Sequence, residues 1–131
     1  MNEDQRTPPR DRFAGTEHLF DLNAETDQLR AESQEARDGH RQITLFRGGG
    51  VSIMLFDFDA DGWLTDHAAD GYVTVLVLTG QIRMTTASQD YSMEAGSLLV
   101  LKPGVMHDLR AATASRVLLT VRLDPAQDER P

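Results

Sequence analysis

The sequence predicts a mainly β domain in which two sheets pack as a sandwich or barrel, preceded by one helix. From residue 42 onward, short segments rich in β-branched and aromatic residues alternate with turns that contain glycine or proline. Helical segments do not alternate with these strands, which argues against a parallel α/β sheet. The 131 residues suffice for one hydrophobic core. We therefore expect one all-β domain over residues 17–131, with residues 1–16 as a flexible arm.

A single helix is predicted at about residues 24–37. Asn23 is a suitable N-cap, acidic residues follow in the first turns, and Gly39 can close the helix. The apolar residues of this segment form only a thin stripe, which consists of Leu22, Leu29 and Ala36. We therefore expect the helix to pack on a larger surface and not to form the core.

Eight strands are predicted after the helix, each bounded by a turn signal. They span residues 42–47, 51–59, 72–79, 81–86, 90–93, 98–101, 106–110 and 116–123. The strand at 72–79 is apolar on both faces, because Val73, Val75 and Val77 alternate with Leu76 and Leu78. Such a strand lies between two layers. The thin helix stripe is too small to cover this outer face, so we expect a homodimer. The competing interpretation is a monomer in which the N-terminal segment folds back over this face as a lid.

The composition excludes several classes of function. Cysteine is absent, which excludes disulfides, zinc-thiolate sites and thiol nucleophiles. The net charge of −8 repels phosphate backbones, so we expect no nucleic-acid partner. No apolar run approaches the roughly 20 residues that a membrane helix needs. The polar, acidic N-terminus does not resemble a signal peptide, so we expect a cytoplasmic protein without a membrane partner.

Two windows of the chain fit the spacing of a paired motif incompletely, because Gly62 lies one residue too close to His67 and Lys102 stands at the proline position, with Pro103 beside it. The first window contains, in order, Gly62, His67, Ala69, Val73 and Gly80. The second window contains Gly96, Pro103, Gly104 and His107. Together they resemble the two motifs of the cupin superfamily, in particular those of small single-domain bacterial cupins, over about residues 42–123. The resemblance implies a jelly-roll, double-sheet β-barrel.

The same resemblance implies a degenerate metal site. Cupins usually hold a metal with two histidines and one glutamate from the first motif and one histidine from the second. His67 and His107 match two of these positions, whereas Ala69 and Val73 stand at the other two. A catalytic metal normally needs three protein ligands and an open position. We therefore expect no cofactor, or a weakly bound divalent metal held by His67 and His107.

Strand alternation places the remaining side chains of this site. His67, Ala69 and Val73 are expected to face the barrel interior, and the second motif adds His107 and Leu109. The two imidazoles would then stand within reach of one bridging atom in an apolar cup. Trp63 has two interpretations, as a residue of the pocket rim or as a core residue. The candidate ligand pocket thus consists of Trp63, His67, Ala69, Val73, His107 and Leu109.

Three functions fit this pattern. The first is a domain that binds a small molecule without classical metal catalysis, such as a sensor or carrier. The second is a metal-dependent cupin enzyme of the dioxygenase or isomerase type that uses His67 and His107. The third is a structural or interaction protein with a closed barrel. The sequence names neither the ligand nor a reaction.

Two further features have structural interpretations. Asp57, Asp59, Asp61 and Gly62 match the opening of an EF-hand calcium loop, but position twelve is Ala68 and a strand precedes the loop. This segment is therefore expected to be a solvated turn with outward acids. His18 and His40 lie outside the motifs and are expected at the surface.

Overall fold

The computed structural model describes residues 8–32, 36–65 and 70–123. Within these ranges the chain begins with two helices, Pro9–Arg12 (α1) and Leu22–Ala31 (α2). Nine strands follow within the same ranges: His40–Gly48 (β1), Val51–Phe58 (β2), Trp63–Thr65 (β3), Gly71–Thr79 (β4), Gln81–Thr86 (β5), Asp90–Glu94 (β6), Leu98–Leu101 (β7), His107–Ala111 (β8) and Ser115–Leu123 (β9). Neither described helix is long and apolar enough to cross a membrane.

The strands form two antiparallel sheets. The five-stranded sheet has the order β1-β2-β9-β4-β7, and the four-stranded sheet has the order β3-β8-β5-β6. One buried cluster joins side chains of both sheets, for example Phe58 and Val75 of the larger sheet with Met84 and Leu109 of the smaller. This arrangement confirms the predicted double-sheet, cupin-type barrel with an N-terminal helix.

The predicted strands are all present, with ends that differ by at most two residues. The strands at 81–86 and 98–101 match β5 and β7 at both ends. Strand β3 was not predicted, because three residues are too few to show an alternating pattern. This strand exists because it pairs with β8 and because the Trp63 N–H donates to the Asp38 carbonyl oxygen at 2.9 Å.

The helix differs from its predicted bounds at both ends. Asp21, not Asn23, is the N-cap: its Oδ1 accepts hydrogen bonds from the backbone N–H groups of Asn23 and Ala24, each at 3.1 Å. The helix ends at Ala31, well before residue 37. Gly39 does not close it, because the backbone groups of Arg37 and His40 pair with each other across a tight turn that leads into β1.

Gly62 and Gly39 meet where the two sheets approach each other. A Cβ atom on Gly62 would lie 2.2 Å from the Gly39 carbonyl oxygen, which leaves no space for any side chain. The Gly62 carbonyl oxygen accepts a hydrogen bond from the Ala111 N–H at 2.8 Å, which holds the β2–β3 connection against β8. The first-window glycine is thus required by a close backbone contact.

Within the described part of the chain, a helix covers the outer face of the larger sheet at one end only. Helix α2 packs on β1 and β2 through buried Thr26 and Leu29. At the other end, Leu76 is half-buried, while Leu98 and Val100 of the edge strand β7 are 60% and 56% exposed. The apolar outer face expected for the central strand therefore exists, and it continues onto β7.

Candidate functional site

Strand β8 directs the second-window residue His107 into the barrel interior. Its burial alternates strictly: His107, Leu109 and Ala111 are buried, whereas Asp108 and Arg110 are exposed. This period of two is what an antiparallel strand with one buried face requires. The strand is held by β3 on one side and β5 on the other, so the position of the His107 side chain is fixed by two neighbours.

His107 is a buried imidazole with a defined proton. Only 5% of the residue is exposed, and its Nδ1 lies 3.0 Å from the Val105 carbonyl oxygen. A carbonyl oxygen can only accept, so Nδ1 carries the hydrogen in this contact. In the neutral ring the Nε2 atom then holds the lone pair. Nε2 is therefore the nitrogen that can accept a proton from a ligand or coordinate a metal.

The other inward residues of β8, Leu109 and Ala111, belong to the hydrocarbon core of the barrel. Val73, at the position where cupins usually have a glutamate, is 2% exposed and pairs with Leu101 and Val121 on the neighbouring strands. Val73 belongs to the same core cluster as Leu109. His67 and Ala69 lie outside the described residues. The expected approach of the two imidazoles therefore stays a prediction.

The described residues do not supply a metal site. Across residues 8–32, 36–65 and 70–123, no group of three histidine, cysteine, aspartate or glutamate side chains could hold an ion. Beside His107, the interior positions of β8 are Leu109 and Ala111, which have no donor atom. Of the residues at the cupin metal positions, the described part of the chain contains one histidine, His107, whereas a stable site needs at least three ligands.

Trp63 does not join the interior residues. In the pairing of β3 with β8, Leu64 lies opposite the buried Leu109, and Trp63 lies opposite the exposed Arg110. Alternation therefore places Trp63 on the outer face of the smaller sheet, where it is 40% exposed. The structure places it neither in the core nor beside Val73 and His107.

The expectation for His40 was wrong, because this residue is buried, with 8% of its surface exposed. Its ring centroid lies 5.6 Å from that of Phe56 and 5.3 Å from that of Phe58. Its Nδ1 donates to the Trp63 carbonyl oxygen at 3.0 Å, which links the two sheets. The predicted strand began at residue 42 and so missed the inward register of His40. His18 is exposed, as expected.

The acidic segment after β2 is only partly solvated. Asp59 and Asp61 are exposed, but Asp57 lies within β2 and is 1% exposed. As expected, the Asp57 side chain points away from the barrel interior, because its neighbours Phe56 and Phe58 point inward. Its expected solvation is wrong, because α2 covers it and Arg30 pairs with it at 2.8 Å.

Comparisons with solved structures show the same fold. A cupin superfamily protein from Desulfitobacterium hafniense aligns with a TM-score of 0.64 and 21% identity over 70% of this chain and 84% of its own. A conserved protein of unknown function from Streptococcus pyogenes aligns with a TM-score of 0.66 and 24% identity over 84% and 90%. An RmlC-like cupin from Shewanella frigidimarina aligns with a TM-score of 0.63 and 16% identity over 72% and 86%.

The comparison of sequences gives a family but no characterised relative. No protein of curated function matches the chain. The family model described as the AraC-like ligand binding domain matches residues 50–130, which is more than half of the sequence. The match includes both windows, strands β2 to β9 and the buried His107. The chain therefore belongs to the family of AraC-like ligand binding domains, within the cupin fold.

Proposed function

We propose that this domain binds a small molecule inside the barrel, beside His107, and that it acts as a sensor or carrier without classical metal catalysis. The observation that carries the proposal is one buried imidazole whose Nδ1 proton is engaged by the Val105 carbonyl oxygen, on a strand whose other inward residues, Leu109 and Ala111, belong to the apolar core. Binding sites of small molecules typically combine apolar walls with a few fixed polar groups. Membership of a ligand-binding family supports the same function.

The chemistry of His107 restricts the ligand. With hydrogen on Nδ1, the neutral ring offers a hydrogen-bond acceptor at Nε2. A ligand hydroxyl or protonated carboxyl group matches that acceptor, and an apolar ligand body matches Val73 and Leu109. His67 and Ala69 of the first window and the exposed Met106, which precedes His107, are proposed to complete the mouth. Trp63 is not part of this proposal because it lies on the opposite face of the sheet.

Ligand-observed NMR with a panel of small carboxylic acids and monosaccharides tests the proposal. We expect at least one compound of the panel to bind the wild-type protein and to lose most of its affinity in His107→Leu. His18→Leu is the matched control, because His18 is exposed and distant from β8. Circular dichroism would show that both variants keep the fold. The proposal would be contradicted if every compound that binds the wild type bound His107→Leu equally well, or if no compound of the panel bound at all.

A metal-dependent enzyme of the dioxygenase or isomerase type is the second candidate. One observation favours it: a histidine whose Nδ1–H donates to a backbone carbonyl is oriented as metal-bound histidines usually are. We nevertheless expect clearly less than one tightly bound transition metal per chain. Elemental analysis of tag-free protein after dialysis measures this. Near-stoichiometric zinc, iron, nickel or manganese would place the enzyme first, with His67 and His107 as ligands.

We also propose that the domain is a cytoplasmic homodimer. Leu98 and Val100 continue the apolar outer face of β4 onto an edge strand, at the end of the sheet that α2 leaves uncovered. A two-fold interface would bury this patch on both copies at once. The absence of cysteine from the sequence is compatible with a reducing compartment.

A further inference from the structure

A cleft of about 290 Å³ lies on the outer face of the smaller sheet, on the side away from the barrel interior. Strand pairing places three large side chains in one row across it: Trp63 of β3 lies opposite Arg110 of β8, and Arg110 lies opposite Arg83 of β5. Thr65, Thr85 and Asp108 form the next row and complete the polar lining. The cleft therefore combines one indole ring with two guanidinium groups.

The positive charge in this cleft is only partly balanced. Like charges directly opposite each other on neighbouring strands are destabilising. Arg83 lies 3.8 Å from an Asp90 carboxylate oxygen, but both side chains are more than half exposed, so this ion pair is weak. Among the residues that the structure describes, Arg110 forms no ion pair or side-chain hydrogen bond. Asp108 lines the cleft too, yet it lies within ion-pair distance of neither arginine.

Trp63 supplies an apolar wall beside these charges. It is the only tryptophan of the chain, and 40% of it is exposed. An indole ring offers a large flat face for stacking, and rings of this kind are enriched where proteins bind partners. An exposed ring beside an arginine that forms no ion pair with any other described residue is therefore suited to a planar ligand with one negative charge.

We propose that this cleft binds a small aromatic carboxylate. The carboxylate accepts hydrogen bonds from the guanidinium groups of Arg110 and Arg83, and the ring stacks on Trp63. The carboxylates of Asp108 and Asp90 on the same face disfavour a polyanion such as a nucleic acid. The volume of the cleft also suits a small molecule, being at the lower end of the range for ligand sites.

The fluorescence of Trp63 gives a direct test, because the chain has no other tryptophan. Benzoate is the probe, benzamide is the uncharged isostere, and acetate lacks the ring. We expect saturable quenching by benzoate and about tenfold weaker binding of benzamide and acetate. Absence of saturation by benzoate up to about 10 mM would overturn the proposal. Equal binding of benzoate and benzamide would overturn it as well.

Variants then locate the site. Arg110→Gln should weaken benzoate binding about fivefold to tenfold, while Arg122→Gln, an exposed arginine on the other sheet, should leave it unchanged. Trp63→Leu should abolish the binding seen by ligand-observed NMR. His107→Leu should retain it, which separates this cleft from the interior site. Unchanged affinity in Arg110→Gln, or loss in Arg122→Gln, would show that benzoate binds elsewhere and would overturn the proposal.

Discussion

Arg30 and Asp57 form a two-point ion pair that fastens α2 to the outer face of β2. The Arg30 Nε donates to Oδ2 of Asp57 and the Arg30 Nη2 donates to Oδ1, both at 2.8 Å. The Asp57 side chain is 2% exposed, whereas that of Arg30 is 49% exposed. The carboxylate is thus buried and depends on one guanidinium that reaches it from the solvent side.

The hydrogen bond to Asp57 raises the pKa of Arg30 above its ordinary value, and burial only partly opposes this. A raised pKa in the folded state means that the contribution of Arg30 to stability is complete below its unfolded pKa. That contribution is lost only as the pH rises through the folded pKa, far into the alkaline range. We therefore expect the ionisation of Arg30 to cause no change in the free energy of unfolding around neutral pH.

Replacement of Arg30 by methionine is predicted to lower the free energy of unfolding by about 2–3 kcal/mol, because it leaves the buried Asp57 carboxylate without its partner. This value is below the full cost of breaking a buried pair, because Arg30 is half exposed. Urea denaturation measures the loss. The matched control is Arg41→Met, because its ion pair with Asp59 is longer, at 3.7 Å, and the Asp59 carboxylate is exposed to solvent, unlike that of Asp57. Equal losses in the two variants would contradict the prediction.

Gly62→Ala is predicted to destabilise the protein by about 2–4 kcal/mol. The added methyl group would lie 2.2 Å from the Gly39 carbonyl oxygen and 3.0 Å from the Asp59 carbonyl oxygen. Both contacts are with backbone atoms, so the two sheets would have to move apart at this junction. Gly15→Ala is the control, since its nearest neighbour would be 3.7 Å away. Thermal unfolding of Gly62→Ala at the wild-type temperature would refute this account.

His40→Leu is predicted to cost about 1–3 kcal/mol of unfolding free energy. It removes the donor for the Trp63 carbonyl oxygen and the ring contacts with Phe56 and Phe58. Chemical denaturation gives the energy, and the emission of Trp63 reports whether β3 shifts. The exposed His18, replaced in the same way, should change stability by less than about 1 kcal/mol. A His40 variant that behaves like the His18 variant would show that His40 does not link the sheets.

The homodimer predicts a mass near twice the 14.6 kDa of one chain at micromolar concentration. Leu98→Glu should shift the protein toward the monomer without unfolding it, because a charge on the exposed edge strand opposes burial in an interface. Light scattering or sedimentation measures the mass. Leu19→Glu is the control, because Leu19 is 99% exposed on the N-terminal segment. A wild-type mass near that of one chain would reject the dimer.

The sequence alone predicted eight of the nine described strands and the inward residues of β4 and β8. A period of two is a local property, so alternation at Val73 and Val75 or at His107 and Leu109 is visible without knowledge of the partner strands. Glycine and proline marked the turns for the same reason. The fold family was predicted from the motifs, because the order and spacing of Gly96, Gly104 and His107 resemble the second cupin motif.

Only the tertiary structure decided which distant residues meet. The insertion of β9 between β2 and β4, and of β8 between β3 and β5, follows from long-range pairing that no local pattern encodes. That pairing placed Trp63, Arg110 and Arg83 in one row, and helix packing over β2 joined Arg30 to Asp57. The helix start shows the same division: Asp21 and Asn23 are equally good caps, and local propensity does not distinguish them. Local chemistry thus determined the elements, and burial shared between distant segments determined the sites.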